Sequence, residues 1–223
     1  MTPPRTVVFD LDGTLVDTAP DLINALNFIL GREGLAPVPL NSARNMIGAG
    51  ARKLIERGLE LEGRHASPSD ITRLTDDFIS HYAEHIADAS RPFDGLEGAL
   101  NGLTALGYRF AVCTNKLEWL SKRLLDRLNL SWRFAAICGA DTFGISKPDP
   151  GFLRQTLARA GGQLSSAVMV GDAGPDIGVA RRAGIPVIGV SFGYTEVSIA
   201  DFKPDRVIDH MNELCAAVEG LMV

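Results

Sequence analysis

Short apolar runs alternate with amphipathic helical segments from about residue 96 to the end of the chain, and this alternation most narrowly limits the fold. Runs such as Tyr108–Cys113 and Ala167–Val170 are almost continuously apolar, whereas a strand with one solvent-exposed face alternates polar and apolar residues. Strands of this kind, separated by helices, form a parallel sheet that is covered on both faces. We therefore expect an α/β fold, with a parallel sheet and helices on both of its faces.

One further apolar run, Thr6–Phe9, stands apart from this series near the start of the chain. Roughly seventy residues with helical patterning follow it, which is far longer than an ordinary connecting loop. Apolar residues recur at helical spacing across 41–61 and 68–89, which predicts two helices there. We expect two domains: an α/β core formed by 1–16 and 92–223, and an inserted all-α helical cap formed by 17–91.

The charge balance and the distribution of apolar residues exclude several classes of protein. The chain carries 27 acidic and 22 basic side chains, so it lacks the basic excess of a protein that binds nucleic acid. No apolar stretch approaches the about twenty residues of a transmembrane helix, and we expect neither a signal peptide nor a membrane partner. The three cysteines are scattered and flanked by apolar residues, which is typical of buried thiols in a reducing cytoplasm.

Two acidic residues, Asp10 and Asp12, directly follow the first apolar run. Residues two apart in extended backbone project to the same side, and two close carboxylates repel each other unless a cation lies between them. Gly13 then allows a sharp turn and a close approach of a ligand to the backbone. The ordinary alternative is an Asp-Gly turn with solvated acids, but the buried strand directly before the pair favours a binding site.

Three later segments also carry polar residues where an apolar run or a loop ends. Thr114 and Asn115 follow the second run, where a hydroxyl and backbone N–H groups can bind an anion or cap the next helix. Lys147 lies in a proline-flanked loop, either as a fixed charge for phosphate or as a solvated lysine. Asp172 and Asp176 follow a later run, where they suit Mg²⁺ or, for Asp176, the dipole of the next helix.

These motifs point to one site because ligands of an open parallel sheet bind at the carboxyl ends of its strands. These motifs follow successive strands, so we expect their side chains to lie together at one edge of the sheet. Four carboxylates there carry a charge of about −4, which one Mg²⁺ and Lys147 reduce to about −1. Such a site makes physical sense with a metal and with an anionic substrate that the metal bridges.

In these four motifs and in their order, the chain resembles the haloacid dehalogenase superfamily of hydrolases over essentially its whole length. The resemblance implies a Rossmann-like core, with the helical cap placed after the first motif. It implies that Asp10 is the nucleophile, which forms an aspartyl-phosphate, and that Asp12 is the general acid and base. It further implies that Thr114, Asn115 and Lys147 bind phosphate, with Thr114 and Lys147 also catalytic. The ligands of Mg²⁺ would be Asp10, the backbone carbonyl of Asp12, Asp172 and Asp176.

Within the superfamily, the chain is similar to phosphoglycolate phosphatases in four stretches: 9–22, 47–59, 110–116 and 187–196. This similarity implies hydrolysis of 2-phosphoglycolate to glycolate and phosphate. Gly48 and Gly50 could offer backbone N–H groups to a small carboxylate, and Arg52 could add charge, although a solvated cap face explains Arg52 equally well. The fourth motif departs from close relatives, because Ala173 and Pro175 stand where Ser and Asn are usual.

Several other functions share part of this pattern. A phosphatase of a sugar phosphate or of pyrophosphate, or a phosphohexomutase, would share every core residue. A dehalogenase and a phosphonate hydrolase are both disfavoured by Asp12, although Lys53 in the cap keeps the latter open. A phospho-acceptor receiver-like module lacks the second acidic pair and the insertion, and a degenerate binding protein would not retain both first-motif acids. The expected partner is a small phosphorylated substrate, and the expected assembly is a monomer or homodimer.

Overall fold

The computed structural model describes residues 4–40, 46–48, 50–195 and 197–222. Its strands and α-helices are, in chain order, β1 (Thr6–Phe9), β2 (Val16–Asp17), α1 (Ala19–Arg32), α2 (Ala51–Leu61), α3 (Pro68–Glu84), β3 (Arg91–Pro92), α4 (Leu96–Ala105), β4 (Arg109–Cys113), α5 (Glu118–Arg127), β5 (Phe134–Cys138), α6 (Pro150–Arg159), β6 (Ala167–Gly171), α7 (Gly174–Ala183), β7 (Val187–Val190), β8 (Arg206–Ile208) and α8 (Leu214–Glu219).

Six of the strands form a parallel sheet in the order β5–β4–β1–β6–β7–β8. The first strand of the chain lies in the interior of this sheet, and all of its residues are buried. Phe9 lies opposite Val112 in β4 and opposite Val170 in β6. The chain therefore leaves three neighbouring strands at the same edge of the sheet, which brings the residues that follow them together.

Helices cover both faces of the sheet, as an uninterrupted apolar strand requires. On one face, Phe152 of α6 and Ile177 of α7 pack in a cluster with Val8 of β1. The other face packs against α4, α5 and α8, and its apolar cluster continues into α1, α2 and α3. The expected α/β class is confirmed. Among the described residues, no helix is both long and apolar enough to cross a membrane.

The helices α1, α2 and α3 of the insertion pack against one another. Their contact is apolar, and Leu26, Ile55 and Phe78 are almost completely buried in it. The short strands β2 and β3 pair antiparallel, with Asp17 opposite Arg91, where the chain enters and leaves these helices. The division of the chain into core and cap domains at these points stays a prediction.

The helix predicted over 41–61 begins later than expected, at Ala51. Gly48 and Gly50 have φ angles of +104° and +90°, which lie outside the range of a right-handed helix and which glycine adopts readily. Residues 41–45 lie outside the described part of the chain. The glycine-containing segment is therefore a turn that leads into the helix, not its first part.

The helix predicted over 68–89 ends earlier than expected, at Glu84. The buried carboxylate of Asp21 accepts hydrogen bonds from the backbone N–H groups of Ala89 and Ser90, at 2.9 and 2.8 Å. These donors would have bonded to backbone carbonyls if the helix had continued. A distant side chain thus holds this segment in its non-helical course.

Candidate active site

Three carboxylates meet at the edge of the sheet where β1 and β6 end. Asp10 follows β1, Asp172 follows β6, and Asp176 lies in the first turn of α7. One oxygen of each residue lies within 4.8 Å of the others, and all three residues are buried. The neighbouring positions of β1 and β6 in the sheet, with the tight turn into α7, account for this convergence.

Lys147 lies against this acidic group. Its Nζ is 2.8 Å from Asp10 Oδ1 and 2.6 Å from Asp176 Oδ1, and its side chain is 2% exposed. Asn115 positions its backbone, because Asn115 Oδ1 accepts from the Lys147 N–H at 2.9 Å and Nδ2 donates to its carbonyl at 3.3 Å. The side chain of Asn115 is thus bonded to the loop that carries Lys147. Phosphate binding by Asn115 stays a prediction, and its backbone N–H is the group that remains for it.

Burial sets the protonation of these groups. It raises the pKa of Asp10 to about 6, although the charge of Lys147 opposes the rise. It raises the pKa of Asp172 to about 8, and the charges of Asp176 and Asp10 add to that rise. Burial by itself lowers the pKa of Lys147, but Asp10 and Asp176 outweigh it and hold that pKa above its usual range. Ionisation of these carboxylates is therefore unfavourable, and a further cation among them would favour it.

The donor set of this group fits a small divalent cation. Carboxylate oxygens are the hard ligands that Mg²⁺ prefers. Asp10 Oδ1 is buried, and although Lys147 Nζ lies 2.8 Å from it, it accepts no hydrogen bond of good geometry from the described residues and keeps a lone pair for a metal cation. The carboxylate of Asp12 does not belong to this group, and the contribution of its backbone carbonyl stays a prediction.

Asp172 is oriented by two donors that lie outside its own loop. Thr14 Oγ1 donates to its Oδ1 at 2.9 Å, and the Tyr194 N–H donates to its Oδ2 at 2.9 Å. The N–H of Ala173 donates to Asp176 Oδ2 at 3.1 Å. Both carboxylates therefore have hydrogen-bond donors even though Ala173 has no hydroxyl. The sequence analysis did not identify the roles of Thr14 and Tyr194.

Asp12 faces a second cation, which sequence reasoning also missed. Lys116 Nζ lies 3.0 Å from Asp12 Oδ1 and 3.2 Å from Oδ2, and Thr18 Oγ1 donates to Oδ1 at 2.8 Å. Lys116 also donates to Tyr82 Oη in α3 at 3.0 Å. The first two acids of the chain thus each pair with a lysine. The position of Lys116, two residues after Thr114 at a strand end, is the signal that could have found it.

Thr114 is buried beside these groups at the end of β4. Its Oγ1 accepts a hydrogen bond from the backbone N–H of Lys116 at 3.3 Å. A hydroxyl that accepts one hydrogen bond still has its own hydrogen to donate. The side chain can therefore make the contact with a phosphoryl oxygen that the sequence predicts.

A cavity of about 240 Å³ lies between this edge of the sheet and the helices of the insertion. Its lining includes Asp10, Asp12 and Thr114 from the sheet side and Gly48, Gly50 and Arg52 from the side of the insertion. The structure thus brings the predicted residues of the insertion to the cavity that Asp10 and Asp12 line. The side chain of Arg52 is 54% exposed, and its Nε donates to Glu56 at 3.1 Å.

The fold and the acidic strand-end site are those of a hydrolase family that the sequence comparison identifies. The chain matches the haloacid dehalogenase-like hydrolases over residues 7–190 and belongs to this family. Among its relatives, the phosphoglycolate phosphatase of Agrobacterium fabrum is 44% identical over 211 residues, with 95% of this chain and 91% of that protein covered. The phosphoglycolate phosphatase of Caulobacter vibrioides is 47% identical, with 91% and 86% covered.

Solved structures share the fold. A protein from Haemophilus somnus, described as a predicted phosphoglycolate phosphatase, has a TM-score of 0.88 at 27% identity, over 97% of this chain and 99% of that one. CbbY from Rhodobacter sphaeroides, solved in complex with phosphate, has a TM-score of 0.76 at 22% identity over 95% and 96%, which shows the common fold alone. These similarities confirm the Rossmann-like core that the sequence resemblance implied.

Proposed function

We propose that this hydrolase is a Mg²⁺-dependent phosphatase of a small phosphomonoester, and that it converts 2-phosphoglycolate to glycolate and phosphate. The observation that carries the proposal is the buried group of Asp10, Asp172 and Asp176 beside Lys147, of which Asp10 lines the cavity between the sheet edge and the insertion. The names of relatives at 44% and 47% identity support the choice of substrate.

In the proposed reaction, Asp10 attacks the phosphorus of the ester. A bond forms between its carboxylate oxygen and phosphorus, and the bond from phosphorus to the bridging oxygen breaks. Asp12 donates a proton to the bridging oxygen, which leaves as the alcohol. Asp12 then takes a proton from a water molecule, whose oxygen attacks the phosphorus and releases phosphate from Asp10.

The remaining residues of the sheet edge hold the phosphoryl group. Mg²⁺, held by Asp10, Asp172 and Asp176, would supply positive charge to the phosphoryl oxygens when bound. Lys147 adds a fixed charge beside the nucleophile, and Thr114 offers its hydroxyl. These donors are in place before the substrate arrives, because the lysine is buried and its loop is held by a side-chain amide.

The other end of the substrate faces the helices of the insertion. Gly48 and Gly50 line the cavity and have backbone conformations that differ from a helix, so their N–H groups can point at a carboxylate. Arg52 lines the same cavity. Recognition of the glycolate carboxylate by these three residues is part of the proposal.

The alternatives differ in the alcohol that is released. Sugar phosphates, pyrophosphate and the substrates of a phosphohexomutase would meet the same sheet-edge residues. A phosphonate hydrolase is disfavoured further, because Lys53 is exposed and its Nζ pairs with Glu56 at 2.9 Å. A receiver-like module and a non-catalytic binding protein are both disfavoured by membership of the hydrolase family.

A substrate panel and one variant test separate parts of the proposal. With Mg²⁺ present, Asp10→Asn is expected to lower turnover at least about a thousandfold. Asp126→Asn, at an exposed position of α5, is the matched control and is expected to keep wild-type turnover. Wild-type turnover by Asp10→Asn would refute the nucleophile. If kcat/KM for glucose 6-phosphate or pyrophosphate equals that for 2-phosphoglycolate, the substrate assignment fails, but the proposed phosphatase chemistry is unaffected.

The proposal also places the enzyme in the cytoplasm, as a monomer or a homodimer. Cys113, Cys138 and Cys215 are free thiols, and the first two are buried, as suits a reducing compartment. Size-exclusion chromatography with light scattering measures the oligomeric state, and a larger assembly would contradict this part of the proposal.

A further inference from the structure

Lys116 is a buried cation that the proposed reaction does not use. It lies in the loop between β4 and α5, its side chain is 5% exposed, and it lines the cavity. Its Nζ contacts both carboxylate oxygens of Asp12 and the hydroxyl of Tyr82 from α3. A buried ammonium carries a desolvation cost, which Asp12 offsets, and its place in the cavity lining lets it meet an anionic ligand as well.

Lys116 is paired with Asp12, but the orientation of Asp12 does not depend on Lys116 alone. Thr18 Oγ1 donates to Asp12 Oδ1 at 2.8 Å, which orients the carboxylate independently. Because the two oxygens of Asp12 can share one N–H and Tyr82 takes a second, the third N–H of Lys116 can turn to another anion while Asp12 stays in place.

The position of Lys116 specifies where that anion lies in the substrate. Asp12 protonates the bridging oxygen in the proposed reaction, so a group that contacts both of its oxygens is close to that oxygen. The nearest substituent of the alcohol is carried by the carbon bonded to the bridging oxygen. A carboxylate on that carbon comes within reach of Lys116, whereas a carboxylate further along the alcohol does not.

The rest of the cavity offers weaker attraction for a carboxylate. Arg52 also lines it, but its side chain is half exposed and bonded to Glu56, so solvent screens its charge. Leu22, Leu54, Phe78 and Leu120 contribute apolar surface. Lys116 is thus the buried cation on the leaving-group side among the described residues that line this cavity.

We propose that Lys116 determines substrate specificity by binding a carboxylate on the carbon that carries the phosphoester oxygen. This inference rests on the proposed function, in which Asp12 serves that oxygen. Tyr82 holds the ammonium from the side of the insertion, at 3.0 Å and with the ring centroid 4.5 Å from Nζ. Selection of the carboxylate-bearing substrate therefore depends on a contact between the loop after β4 and α3.

The test compares two substrates of the same shape and different charge. Hydroxyacetone phosphate carries a methyl group in place of one carboxylate oxygen of 2-phosphoglycolate. Lys116→Gln is expected to lower the ratio of kcat/KM for 2-phosphoglycolate over hydroxyacetone phosphate by about 10- to 100-fold, the range of a charged hydrogen bond. Lys116→Arg, which keeps the charge, is expected to retain most of the preference. Lys122→Gln, at an exposed lysine of α5, is the matched control and is expected to leave the ratio unchanged.

The outcomes separate the inference from the proposed function. An equal fall for both substrates in Lys116→Gln would mean that Lys116 only positions Asp12, and it would overturn the inference. If the wild-type protein shows no preference for 2-phosphoglycolate over hydroxyacetone phosphate, the proposed substrate fails and the inference falls with it.

A measurement on the wild-type protein tests the inference even where a variant does not fold. The phosphate ester of 3-hydroxypropionate carries its carboxylate one carbon further from the bridging oxygen. It is expected to be at least about tenfold poorer in kcat/KM than 2-phosphoglycolate. Equal use of the two esters would overturn the inference and leave the phosphatase chemistry intact.

Discussion

Replacing Lys147 with methionine is expected to destabilise the metal-free protein strongly. Lys147 Nζ lies 2.8 Å from Asp10 and 2.6 Å from Asp176, with 2% of its side chain exposed. Removing one partner of a buried ion pair costs about 3–5 kcal/mol, because the remaining charge stays buried and unpaired. In a domain of this size each kcal/mol shifts Tm by about 2–4 °C, so Lys147→Met is expected to lower Tm by about 6–20 °C.

Added Mg²⁺ is expected to restore part of this loss. A divalent cation among the three carboxylates replaces the missing charge, and its binding no longer competes with repulsion from the ammonium. Mg²⁺ is therefore expected to raise the Tm of Lys147→Met more than that of the wild-type protein. Thermal unfolding followed by circular dichroism, first in EDTA and then in millimolar Mg²⁺, measures both effects.

Lys122→Met provides the control for this experiment. Lys122 is 47% exposed and pairs with Glu118 on the surface of α5, so its removal is expected to shift Tm by no more than about 2 °C. If Lys147→Met in EDTA also shifts Tm by no more than about 2 °C from the wild-type value, the buried lysine does not offset the negative charge of the three carboxylates. An equal gain from Mg²⁺ in the wild-type protein and in the variant would refute the shared role of lysine and metal.

Two further predictions concern the residues around Asp172. Asp172 binds its proton more tightly in the folded than in the unfolded protein, so metal-free wild type is expected to lose stability relative to Asp172→Asn as the pH rises from 3.8 to about 8. Urea unfolding in EDTA measures this difference, and a pH-independent difference would contradict it. Tyr194→Phe removes the bonds of Tyr194 Oη to Asp17 at 2.6 Å and to the Ala19 N–H at 3.0 Å, with an expected loss of about 1–3 kcal/mol. The variant is expected to keep its Mg²⁺ affinity, because the backbone N–H of residue 194 still donates to Asp172. Calorimetric titration measures this affinity, and weaker Mg²⁺ binding without loss of stability would contradict the prediction.

Much of the fold follows from hydrophobic periodicity, which local sequence displays directly. Thr6–Phe9 is continuously buried because it is an interior strand with neighbours on both sides. In a parallel sheet all strands end at one edge, so the convergence of Asp10 with Asp172 could be predicted without coordinates. Helix ends were predicted less well, because the end of α3 depends on a distant carboxylate, that of Asp21.

Apolar runs are visible in the local sequence, so the sequence alone placed Asp10 and Asp172 at the ends of strands and Lys147 in the loop before a helix. The tertiary structure settled how these groups pair with one another. It gave Asp12 its own cation, Lys116, and it turned the amide of Asn115 towards the loop of Lys147 instead of the ligand. The contact between Tyr82 and Lys116 likewise joins residues that are 34 positions apart. Such partners depend on the packing of one element against another, which no local pattern of residues encodes.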